Sequence, residues 1–209
     1  MTRRQRSRES FRRRPPSVEP RACVLLVCEG KKTEPNYFKS LRKELRLTTV
    51  EVEVVGQGAA PKTVVKRAVD LLKAGKHDYD HVWCIFDVEQ RGKNPSIHPA
   101  LDQAVANGID VALSNPCFEY WFILHFADCG KQLVGPKGVL HELAKHVPNY
   151  SKDWDIFETL WPSVDDAIGR AKAIKKSHEA AGTARHHRDP STEVDEVVEL
   201  LRNTAARPK

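Results

Sequence analysis

Residues 22–30 read Ala-Cys-Val-Leu-Leu-Val-Cys-Glu-Gly, a continuous apolar run that stops at an acid and a glycine. A run without polar alternation suits a parallel strand buried on both faces, here delivering Glu29 to a sheet edge. The pattern recurs at residues 82–86, Val-Trp-Cys-Ile-Phe, followed by Asp87-Val88-Glu89. Strands joined by helical crossovers lie parallel, so their carboxyl ends open on one edge, where open α/β sheets bind ligands. Glu29, Asp87 and Glu89 are therefore expected to converge. If the chain stays extended past Asp87, the two-residue period points Asp87 and Glu89 the same way. Crowded carboxylates repel and call for a cation, and oxygen-only donors without a Cys/His cluster favour Mg²⁺ or Mn²⁺ over zinc. The competing reading is that these acids simply face solvent at strand ends.

The remaining elements follow in order. Thr33 reads as the N-cap of a helix with Pro35 in its first turn and Phe38, Leu41 and Leu45 as its apolar stripe. Lys31 and Lys32 stand beside the acidic edge, where they either hold a substrate phosphate or are merely solvated. Gly30-Lys31 is no Walker loop, because the required upstream glycine is replaced by Leu25 inside the strand. Residues 49–55 alternate, with Glu51 and Glu53 opposite Val50, Val52 and Val54, as an edge strand should. A helix over about 61–74 leads to the strand ending at Asp87. The polar loop 90–99 then carries Arg91, Lys93 and His98 near the site, ahead of a helix of roughly 98–107 and a short strand 109–113.

Asn115 reads as N-cap and Pro116 as first residue of a helix running through Cys117-Phe118-Glu119-Tyr120-Trp121-Phe122-Ile123-Leu124-His125-Phe126, apolar nearly all round and so buried. Glu119 is anomalous there. It either supplements the site or complements the helix dipole. Residues 127–162 read as a looser, mostly helical insertion packed down by Trp154, Phe157, Leu160 and Trp161, with core packing preferred over base stacking. Ser163-Val164-Asp165-Asp166 resembles a capping box for a helix to about Ala181 whose Lys172, Lys175 and Lys176 form a solvated basic face. The last helix repeats Val194, Val197, Val198 and Leu201 and is expected to dock on the sheet. His186 and His187, adjacent on a loop, are disfavoured as metal ligands.

Composition bounds the partners. The chain has 209 residues and a formal net charge of +6. The eight arginines and two glutamates of residues 1–21 account for all of that excess, leaving the remainder balanced. The balanced body therefore gives no charge argument for nucleic acid, although the Arg-rich tail, expected to be disordered, would add salt-sensitive phosphate affinity or solubility. Five cysteines without a C-x-x-C pair read as reduced core thiols of a cytoplasmic protein. No signal peptide or membrane span is read.

The order of strand-Glu, strand, strand-Asp-x-Glu, strand and helices resembles a Toprim domain. Three stretches, residues 27–38, 115–122 and 189–194, are similar to the RloB-like family of restriction-modification and phage-defence loci, over roughly residues 22–202. The resemblance implies a Toprim-like (Rossmann-like), mostly parallel four-stranded sheet flanked by helices. Its expected division is a tail over 1–21, an α/β core over 22–126, the insertion over 127–162 and C-terminal helices over 163–209. It implies a Mg²⁺- or Mn²⁺-dependent endonuclease acting on DNA or RNA in abortive infection. Asp87 and Glu89 would hold the metal, Glu29 would be general acid/base or a further ligand, Lys31 and Lys32 would contact phosphate, and Glu119 is a fourth acid. Two departures from the family pattern are Asp-x-Glu in place of Asp-x-Asp, and Asp189 where Asn is common. A neighbouring ATPase is the implied partner, and the alternative function is a non-catalytic adaptor of such an ATPase or of a restriction complex. Oligomeric state, a homo-oligomer included, stays open.

Overall fold

The structure, a computed structural model, describes residues 22–56, 59–88 and 97–206. The Arg-rich tail and Glu89, Arg91 and Lys93 lie outside the described residues. Five strands form one sheet: β1 (Val24–Cys28), β2 (Val50–Val54), β3 (His81–Asp87), β4 (Asp110–Asn115) and β5 (Ser191–Thr192), in the order β2-β1-β3-β4-β5. The first four run parallel and β5 pairs antiparallel with β4. The expected four-stranded sheet thus gains a fifth strand. Two residues following Pro190 are too few to show any periodicity.

The apolar run of β1 has a simple cause. Val24, Leu26 and Cys28 enter one core and Leu25 and Val27 the other, all at 0 % exposure. One face is covered by α2 (Pro61–Ala74) and α3 (Ile97–Ala106). The other is covered by α1 (Thr33–Glu44), α4 (Glu119–Phe126), α5 (Gly135–Leu143), α6 (Phe157–Leu160), α7 (Val164–Ala180) and α8 (Val194–Ala206). β2 is an edge strand, its Glu53 bonded to Arg67 and its Glu51 to Tyr79. Helix α2 starts on Pro61 and stops at Gly75, which is left-handed (φ +62°) and donates its N–H to the Leu72 carbonyl.

Several local expectations are corrected. Thr33 is the first residue of α1 rather than its cap, because its hydroxyl is drawn to Glu119. Asn115 ends β4 and its amide donates to the Arg188 carbonyl, so it cannot cap a helix. The Asn115–Pro116 bond is cis and α4 begins at Glu119. Ser163 makes no side-chain cap, leaving the expected capping box unformed. Trp154 is half exposed, while Phe157 and Leu160 are buried. Lys172 and Lys176 are exposed as expected and Lys175 is half-buried, with Lys172 and Lys175 reaching across to Glu199 and Glu196 on α8. On α8 itself, Val194, Val197, Val198 and Leu201 are fully buried. All five cysteines are free.

Candidate functional site

The ladder between β1 and β3 sets the site. Glu29 continues it by donating its backbone N–H to the Ile85 carbonyl at 3.0 Å, and its Oε2 accepts the Asp87 N–H at 3.2 Å. The carboxyl ends of two parallel strands thus bring Glu29 and Asp87 together. Val88 donates its N–H to the Ser114 carbonyl at 2.8 Å, which fixes the end of β3 against β4. Glu119 arrives from the first turn of α4 at 1 % exposure, its Oε1 accepting from Thr33 Oγ1 at 3.2 Å. Glu29, Asp87, Glu119, Lys31 and Lys32 all line one cleft of about 260 Å³. Glu89, the remaining sequence candidate, lies outside the described residues.

Two residues of this cleft escape a sequence reading. Glu34 passes for an ordinary first-turn acid, yet it is 5 % exposed and its Oε1 accepts the Gly30 N–H at 3.3 Å. A Cβ at position 30 would collide with that carboxylate, so a side chain there would have to push Glu34 away from the Gly30 amide. The clue was an acid five positions beyond Glu29 across a glycine turn. Lys152, from the coil between α5 and α6, places its Nζ 3.1 Å from Glu119 Oε1. Nothing local in sequence marks it. Lys32 is turned outward to an ion pair with Asp153, whereas Lys31 is exposed at the rim.

The electrostatics follow from crowding. Asp87 is pushed well above the usual carboxylate range by burial, then by Glu34, Glu119 and Glu29, with Lys152 acting the other way. Glu34 is raised first by burial and further by Glu119. Among the described residues, no three His, Cys, Asp or Glu side chains are placed so that they could together hold a metal ion. In chemistry, though not in placement, the cleft's donors suit one. Asp87 Oδ1 and Glu119 Oε2 are buried without a hydrogen-bond partner among the described residues. All-oxygen donors of this kind suit Mg²⁺ or Mn²⁺. Elsewhere, His186 lies with ring centroids 4.1 Å from His98 and 4.0 Å from His187.

A mostly parallel α/β sheet with an acidic cleft at the carboxyl edge of its central strands defines the class of this protein. The RloB-like protein family model matches residues 24–201, and the chain belongs to that family. No curated protein and no solved structure matches it. Among the described residues, no helix is long and apolar enough to cross a membrane.

Proposed function

We propose that the protein is a Toprim-like, Mg²⁺- or Mn²⁺-dependent endonuclease that cleaves nucleic-acid phosphodiesters, acting as the effector of a phage-defence locus beside an ATPase partner. One observation carries the reading: buried carboxylates from three separate elements share a cleft in which two oxygens have no hydrogen-bond partner among the described residues. Such groups are costly unless a ligand completes them. Asp87, Glu119 and Glu29 would hold the ion, with Glu89 following Asp87 by two positions. A divalent ion bound there supplies charge stabilisation at the transferring phosphate and lowers the pKa of a coordinated water.

The chain's own side chains have distinct tasks. Glu29, partly exposed like Asp87 and unlike the buried Glu34 and Glu119, is suited to exchanging a proton with water at the cleft mouth. Glu34 holds the Gly30 amide and so fixes the turn that presents both Glu29 and Lys31. Lys31, exposed at the rim, meets a substrate phosphate as a point charge. Purified chain incubated with Mg²⁺ or Mn²⁺ and mixed DNA and RNA oligonucleotides, with and without its ATPase partner, tests the proposal. Glu29→Gln and Asp87→Asn should each lower cleavage by about 100-fold or more while leaving the circular dichroism spectrum intact. Full activity in both variants sinks the site. A folded wild-type chain that cleaves nothing under either condition leaves the adaptor reading in its place.

A further inference from the structure

We infer that Lys152 is a built-in counter-ion of the acidic cleft, one that leaves Glu119 when a divalent cation binds and is then free to meet an anionic substrate. This rests on the metal-site reading proposed above. Glu119 is almost wholly buried, but the lysine side chain that pairs with it is 53 % exposed. Its ammonium enters from solvent, on a coil outside the sheet, while the acids it neutralises come from β3, α1 and α4.

A buried cluster of carboxylates requires positive charge, and a single ammonium supplies it incompletely. Lys152 Nζ contacts Oε1 of Glu119, leaving Glu119 Oε2 and Asp87 Oδ1 still without partners among the described residues. A divalent cation takes six or more oxygens and carries twice the charge, so it answers the same need more fully. Two cations within one such cluster repel strongly, so occupancy by one weakens the hold on the other. The half-exposed stem lets the ammonium swing outward on release. Its departure is bounded, because the coil is tied to the α1 region on the far side of Lys152. Asp153 pairs with Lys32, and Ser40 Oγ donates to Asp155 Oδ2 at 2.6 Å. The freed ammonium therefore stays at the cleft lip, beside Lys31 and Lys32.

Calorimetric titration of the full chain with Mn²⁺ tests this directly. Lys152→Met should bind Mn²⁺ about ten-fold more tightly than wild type, as expected when a competing charge is removed. Its metal-free form should melt below the metal-free wild type and gain more in melting temperature on adding Mn²⁺. Lys152→Arg, which retains the charge, should stay close to wild type. If Lys152→Met does not fold without metal, Lys152→Gln carries the comparison. It keeps a hydrogen-bond donor for Glu119 without the charge and should likewise bind Mn²⁺ more tightly than wild type. Equal or weaker binding by Lys152→Met, or by Lys152→Gln in its place, overturns the exchange while leaving the metal site standing. No Mn²⁺ binding by wild type or variants overturns the metal reading and the exchange together.

Discussion

Asp87 ends a buried strand with one carboxylate oxygen unpartnered among the described residues and three other acids among the causes that raise its pKa. The folded state therefore penalises its charged form. Because its folded pKa is raised, the stability it contributes is present at low pH and lost as pH rises past the usual carboxylate range. Asp87→Asn should then stabilise the metal-free protein at pH 8 by about 1–3 kcal/mol while removing cleavage. Urea unfolding in EDTA measures this, and saturating Mg²⁺ should shrink the difference. A variant less stable than wild type in EDTA would show that Asp87 is satisfied rather than strained. The convergence of Asp87 with Glu29 was legible because two apolar runs each end in an acid. Thr33 and Glu34 were not, since their roles depend on a contact with a distant helix and on the fold of a single turn. A threonine before Glu-Pro reads as a cap until Glu119 is placed beside it.

At the level of elements, legibility followed periodicity. Helix α2 occupies the range its stripe and its Pro61 start predict, and β2 lies at the edge its alternation requires. The carboxyl-terminal border of the sheet was hidden, because β5 is two residues long and the rest of the exposed β4 edge is covered by side chains. Glu193 accepts the Leu113 N–H at 2.9 Å through Oε2 and returns its own backbone N–H to the Leu113 carbonyl at 2.9 Å. Arg185 donates to both Glu193 oxygens and to the Val111 carbonyl. One acid and one arginine thus do the work of missing strand hydrogen bonds, and no sequence pattern announces such a pairing. Glu193→Ala would leave a buried N–H and a guanidinium without their acceptor. It should cost about 2–3 kcal/mol, discounted for the partly exposed arginine. The urea midpoint should fall with an unchanged slope. A loss below about 0.5 kcal/mol would mean that water replaces the carboxylate without penalty.

Across the whole molecule, two buried titratable groups oppose each other in their response to pH. His125, 3 % exposed on α4, has no hydrogen-bond partner at Nε2 among the described residues and has Nδ1 2.9 Å from the Trp121 carbonyl. Burial lowers its pKa from 6.5 to about 4. Asp195, 2 % exposed at the start of α8, is raised from 3.8 to about 7, first by burial and then by Glu196. A depressed histidine gives stability that is present above its unfolded pKa and lost as pH falls from about 6.5 to about 4. A raised aspartate gives stability that is present below its unfolded pKa and lost as pH rises from about 4 to about 7. Neither position stands out in sequence, because an acid within a first turn and a histidine ending an apolar helix are ordinary until packing buries them. Asp195→Asn should gain on the wild type as pH climbs through that window and hold its advantage above it. His125→Gln should gain on the wild type as pH falls from about 6.5 to about 4. Each difference should reach on the order of 1–3 kcal/mol, since a tenfold change in proton affinity is worth about 1.4 kcal/mol and relaxation of the site recovers part of the total. Urea unfolding at half-unit steps from pH 4 to 8 resolves both curves. If the two variants track the wild type at a constant offset, burial has not moved these groups, and the opposing slopes are absent from the protein.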